Sequence, residues 1–192
     1  MILPIHIYGD QVLREETAPV EAVTPELRQL AADMLETMYG AEGVGLAAPQ
    51  VGRTERIFVV DVTSMLERER DGGPYLPQPM VFVNPEIVWE SDEETSFEEG
   101  CLSIPDIRET VWRPARVRIQ YRDLDFSPQE LEAAGMLARV IQHEYDHLEG
   151  VLFLDHITPF RRRMLQRKLR AISSGEVEAD YPIQAPAESA GR

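Results

Sequence analysis

The chain has 192 residues, 43% hydrophobic and 28% charged, a balance that suits one globular domain with a real core. Its formal net charge of −15 disfavours a general nucleic-acid binder, so no free DNA partner is expected. Cys101 is the single cysteine, which excludes an internal disulfide and fits a reducing, cytoplasmic setting. The opening MILPIHIYGD lacks a basic region and a continuous apolar run, so it does not read as a secretory signal. No stretch approaches the length of a membrane-spanning helix, and no membrane partner is expected.

In chain order, TPELRQLAADMLETMYG (24–40) predicts a helix, with Thr24 as N-cap, Pro25 at the first turn and Gly40 as a stop. Leu27, Leu30, Ala31, Met34 and Met38 recur at helical spacing. After the glycine-punctuated GVGLAAPQVG, RIFVVDV (56–62) reads as a buried strand, and MLERERDGGPYLPQP (65–79) as an exposed loop. MVFVNPEIVW predicts two short strands split around Asn84-Pro85. ESDEETSFEE (90–99) packs six acids into ten residues and reads as a solvated strand or turn. GCLSIP and ARVRIQYRD are strand-like. For the stretch from 127, Ser127-Pro128-x-Glu130 argues for a capped helix, while Gly135 argues for a break. The firmer helix covers about 136–149. ITPFRRRMLQRKLRAI (157–172) is amphipathic, with Phe160, Met164, Leu165, Leu169 and Ile172 on one face and arginines and lysine on the rest. Residues 1–172 are expected to form one catalytic domain, and 173–192 a disordered tail.

The chemistry-bearing stretch is VIQHEYDHLEGVLF (140–153). On a helix, His143 and His147 stand four residues apart and can share a metal ion, with Glu144 placed to reach a water. A catalytic site needs a third protein ligand and an open position. The extended protease pattern requires a histidine where this chain has Phe153, and the downstream acids Glu176, Glu178 and Glu188 fall in the expected tail. Cys101 remains, as a thiolate held deprotonated by the metal. Three rivals stay open on the residues alone. They are a metallopeptidase using the same helix, a hydrolase with Cys101 as nucleophile, and a non-catalytic module stabilised by metal.

Three motifs, GVGLAAPQ (43–50), EGCLS (99–103) and QHEYDHLEG (142–150), together resemble the signature motifs of the peptide deformylase family, in order and over roughly residues 1–165. The resemblance implies an α+β fold in which antiparallel β-sheets surround a central helix carrying the His-Glu-x-x-His motif, with an amphipathic C-terminal helix. It makes QELEAA a strand and moves the helix start to Gly135, overriding the capping box. The implied reaction is metal-dependent hydrolysis of the N-formyl group of formyl-methionyl nascent peptides, releasing formate. Cys101, His143 and His147 would hold one divalent ion, natively Fe²⁺, with Zn²⁺ or Ni²⁺ as alternatives. Glu144 would be the general base, and the Gln50 amide and the Leu102 N–H the oxyanion donors. Val44, Gly45, Phe97, Gly100, Met136 and Val140 would line the substrate site, with Arg108 further along the peptide. Asp146 and Arg113 are expected either to support the ligands or to form an ordinary ion pair. The family role suggests ribosome docking through 157–172. A monomer is expected.

Overall fold

The helix that carries the two histidines, α3 (Gly135–Leu148), is buried without interruption from Leu137 to Glu144. A helix enclosed on all sides would ordinarily be apolar throughout, yet this one encloses Arg139, Gln142, His143 and Glu144. Each of these must find a partner inside the protein or cost several kcal/mol, so the surrounding elements are constrained by α3. The computed structural model describes residues 1–66 and 78–187. Most of the loop expected over 65–79 therefore lies outside the described residues, as do positions 188–192.

The elements follow in the order β1 (Ile5–His6), α1 (Pro25–Gly40), β2 (Gly45–Ala47), β3 (Ile57–Val60), the short α2 (Thr63–Leu66), β4 (Met80–Glu90), β5 (Glu94–Cys101), β6 (Ile104–Pro114), β7 (Arg116–Arg122), β8 (Pro128–Ala134), α3, α4 (Pro159–Ser173) and β9 (Ile183–Gln184). One antiparallel sheet runs β2-β3-β4-β7-β8, β5 and β6 form a separate antiparallel pair, and β1 pairs with β9 in parallel. The arrangement is the expected α+β fold. Among the described residues, no helix is long and apolar enough to cross a membrane.

RIFVVDV is apolar at consecutive positions because the main sheet is covered on both faces. Phe58 and Val60 point into a cluster with Phe82, Ile119, Leu137 and Ile141, on the α3 side. Ile57 and Val59 point into a second cluster with Leu27, Leu30, Met34 and Met38 of α1. α1 begins as expected, with the Thr24 hydroxyl accepting from the Leu27 N–H at 3.3 Å and Pro25 in the first turn. A third cluster joins Ile104, Ile107 and Val111 of β6 to Phe153, Leu169 and Ile172.

Several expectations are corrected. MVFVNPEIVW is one strand, because a bulge between Val83 and Glu86 absorbs the Asn84-Pro85 pair. Asn84 takes φ 48° and secures it by exchanging hydrogen bonds with the backbone of Val20, at 2.8 and 2.7 Å. Residues 128–134 form the strand that the family resemblance implies in place of the capped helix, and β8 pairs with β7 along its whole length. Gly135, at φ 59°, then turns the chain sharply from strand into α3. The apolar face of α4 is only half used. Leu169 and Ile172 are buried, whereas Phe160 and Met164 are 70% and 65% exposed. Nor is the chain from 173 disordered over its described part. The Ile5 N–H donates to Pro182 and the Ile7 N–H to Gln184, which docks β9 along β1. The polar composition of this segment hides an extended stretch whose backbone finds an open strand edge.

Phe82 packs its ring 4.6 Å from that of Phe58, at the centre of the sheet–α3 interface. Phe82→Ala is expected to lower the free energy of unfolding by about 3–5 kcal/mol, read from guanidinium titration.

Candidate metal centre

Cys101 ends β5, and the β5–β6 register shifts between Gly100 and Cys101, so that Gly100 faces Arg108 while Cys101 faces Ile104. Such an irregularity re-aims a side chain, here the thiol, towards α3. One helical turn separates His143 from His147, which puts both rings on that same side. The ligand atoms of Cys101, His143 and His147 all lie within 4.8 Å of one another, and Cys101 Sγ is 3.2 Å from His147 Nε2.

The ring of His143 is oriented from behind. Its Nδ1 sits 3.0 Å from Glu99 Oε2, which leaves Nε2 for the Cys101 side. Glu99 is itself fully engaged. The Arg113 guanidinium donates to both of its oxygens, at 2.7 and 3.0 Å, and Arg139 donates to Oε1 at 2.8 Å. Arg113 continues to Asp146 at 2.7 Å, and His156 Nε2 meets the same Asp146 oxygen at 2.7 Å. Asp146 and Arg113 thus bear on the ligands through Glu99, and His156 belongs to this support. His6, the other spare histidine, pairs with Asp10.

These contacts set the charges. Burial disfavours the Cys101 thiolate, but His147 and His143 outweigh it and bring the thiol pKa down to about 5. Burial likewise opposes ionisation of Glu99, yet the hydrogen bonds from His143 and Arg113 hold its carboxyl well below the usual range. His143 is raised well above its ordinary value, because bonds to Cys101 and Glu99 overcome the desolvation that would lower it. A thiolate and two imidazoles, converging in a buried place, form a donor set suited to a divalent transition metal. The buried Glu144 Oε2 has no hydrogen-bond partner among the described residues, which fits a water held beside a metal ion. His147 Nδ1, on the ring edge away from the thiol, has none either.

Glu144 stands next to this centre, 4% exposed, and burial pushes its carboxyl up to about 7. It packs directly against Gly45. A Cβ there would fall 2.8 Å from the carboxyl carbon of Glu144, so β2 comes this close only as glycine. Gln50 follows in the short turn after β2. Its Oε1 accepts from the Ala47 N–H at 2.8 Å, which turns Nε2 outward to 3.5 Å from Cys101 Sγ and 3.3 Å from Ser103 Oγ.

A cleft of about 840 Å³ opens onto these groups. Val44, Gly45, Gly100, Arg108, Met136 and Val140 line it, as do Gln50, Leu102 and Glu144. Phe97 does not. It lies on the inner face of β5 with Glu99, and the Arg139 guanidinium covers its ring at 4.9 Å. Glu99, Ser103, Arg139 and Tyr181 were not singled out from sequence. A signal existed for Glu99, since stepping back by two from Cys101 along an alternating strand puts Glu99 on the same face. The acidic run around it masked that signal.

A family model described as polypeptide deformylase matches residues 2–163. A peptide deformylase of Salinibacter ruber is 60% identical over 95% of this chain and 94% of its own length. One from Chlorobium limicola is 47% identical, covering 97% of each chain. Among solved structures, that of peptide deformylase from Ehrlichia chaffeensis superposes with a TM-score of 0.83, at 37% identity, over 92% of this chain and 99% of the other.

Removing Glu99 would leave the buried Arg113 and Arg139 uncompensated. Glu99→Ala is expected to destabilise the metal-free protein by about 3–5 kcal/mol in chemical denaturation. It should also weaken retention of Zn²⁺ by about 10–100-fold in competition with a chelator.

Proposed function

Because the chain belongs to the polypeptide deformylase family, metal-dependent hydrolases that remove N-formyl groups from nascent peptides, we propose that Cys101, His143 and His147 hold the metal and that Glu144, Gln50 and Leu102 carry the reaction beside it. The observation that carries this reading is the convergence of the three ligand atoms within 4.8 Å, beneath a cleft that Glu144 and Gln50 also line. When bound, the metal acidifies a water and polarises the formyl carbonyl. Glu144 takes the proton of the attacking water and delivers it to the departing amine, a role suited to a carboxyl whose pKa stands at about 7. Charge then develops on the formyl oxygen. The Gln50 amide and the Leu102 N–H face it, each such donor being worth about 2.7–4 kcal/mol of barrier. Gln50 supplies its N–H without adding a charge, and its own loop has already oriented it.

Val44, Met136 and Val140 supply an apolar surface for the methionine side chain. The peptide beyond it lies extended between the 43–45 loop and β5 near Gly100, and reaches Arg108. The native metal in this reading is Fe²⁺, with Zn²⁺ or Ni²⁺ able to replace it, since Cys-His-His ligation does not select among them. Residues 1–172 work as one catalytic unit, as a monomer in the cytoplasm, with the described part of the tail docked upon it.

Ribosome docking belongs to the outer face of α4. There Arg161 is engaged with Glu109 at 2.9 Å and Arg162 with Asp155 at 2.9 Å. Arg163, Arg167, Lys168 and Arg170 are exposed and form no ion pair among the described residues. They stand beside the exposed Phe160 and Met164.

Protein prepared anaerobically with its metal should release formate from formyl-Met-Ala-Ser, and should lose this activity on chelation. Cleavage of an internal peptide bond without formate would instead indicate a peptidase. Activity surviving chelation but not alkylation would indicate a cysteine hydrolase. Glu144→Gln should keep its metal while kcat falls by at least about 100-fold, and full turnover in that variant would refute the assigned base. Charge reversal at Arg163, Arg167 and Arg170 should weaken co-sedimentation with ribosomes and leave turnover of the short peptide unchanged.

A further inference from the structure

The C-terminal segment beyond α4 reaches the cleft at Tyr181. Its phenol donates to the Leu102 carbonyl oxygen at 2.7 Å, across 79 positions of sequence. Tyr181 is half-buried, lines the cleft together with Leu102, and packs with it on the core cluster beneath α1. Neighbouring bonds tie down the residues that follow it. Pro182 accepts from the Ile5 N–H at 2.8 Å and Gln184 from the Ile7 N–H at 3.1 Å. The tyrosine is therefore held by a short strand pair and is no loose end.

Leu102 belongs to a two-residue turn between β5 and β6 and has no ladder to fix it. Its side chain lies over Gly43, and the next carbonyl, that of Ser103, accepts from the Tyr8 N–H at 2.8 Å. The remaining freedom is rotation of Leu102 itself, and the phenol closes it by holding the carbonyl. The backbone N–H of the same residue has no backbone acceptor among the described residues. Oxyanion donors act through preorganisation, since a donor that must first be turned into place loses part of its effect on the barrier.

We propose that Tyr181 is a positioning residue for the deformylation reaction, fixing Leu102 through its carbonyl so that the Leu102 N–H is presented to the formyl oxygen in the transition state. This rests on the assignment of Leu102 as an oxyanion donor. The residue comes from the segment that composition alone marks as dispensable. Truncation after α4 would remove a part of the working site.

The test is Tyr181→Phe in the full-length, metal-loaded protein, which keeps the ring and deletes the donor. A contact felt in the transition state and not in the ground state lowers kcat and leaves KM alone, so kcat should fall by about 5–20-fold with KM within about 2-fold. Bound metal and the melting temperature should match the parent protein. An unchanged kcat would overturn the inference, and so would a raised KM with kcat retained, the result expected if the ring were only a wall of the cleft. Glu144→Gln run in parallel separates the failures. An active Glu144→Gln defeats the reading of the site itself, whereas an inactive one with a fully active Tyr181→Phe defeats the role of Tyr181 alone.

Discussion

The Glu99 carboxylate, placed where β5 meets α3, is the interaction on which the remaining architecture depends. It receives Arg113 from β6, Arg139 from one turn of α3, and His143 from the next. With two guanidiniums and an imidazole around one buried carboxylate, the β5–β6 pair cannot slide or rotate against the helix without exposing an unpaired charge to low dielectric. Since Cys101 ends the same strand and His147 continues the same helix, fixing that strand against that helix is what brings thiol and imidazoles together. Support of the ligands and joining of the layers are one set of bonds.

β2 and the turn that follows it meet the helix by close approach instead of charge. Gly45 allows backbone contact with Glu144, and Gln50 bends back on its own loop so that its amide hydrogens face Cys101. Glu144 is enclosed here, and burial raises its pKa towards neutrality. Close approach and burial thus meet at the same carboxyl.

Stability and reactivity are in tension at this centre. The protein buries Glu99, Glu144, Arg113, Arg139 and two histidines within a few ångströms of one another, and leaves His147 Nδ1 and Glu144 Oε2 without partners among the described residues. Groups left in this condition cost stability, and the apolar clusters on both faces of the main sheet offset that cost. The acidic surface does not reach the outer face of α4, where exposed basic side chains flank Phe160 and Met164.

Local patterns sufficed for much of this. The His143–His147 spacing, the placement of Cys101 beside an incomplete pair, the α1 boundaries and the double-faced strand RIFVVDV were all legible, because each rests on a period of two or of about 3.6 residues or on a cap within one turn. Asn84-Pro85 misled because a bulge absorbs what looks like a break. That Arg139 covers Phe97 was not legible, because period two fixes which residues share a face but not what that face meets. Half of the α4 stripe stays exposed for the same reason, since amphipathicity does not say how far along a helix the body extends. What the sequence by itself determined was the donor set, the acid beside it and the family whose motifs they share. Only tertiary structure decided that Glu99 is buried amid solvated acids, that 182–184 joins β1, and that Tyr181 touches Leu102. These depend on pairings between segments up to 178 positions apart, as between Ile5 and Ile183. No local propensity encodes such a pairing; it follows from the edge left open once the rest has folded.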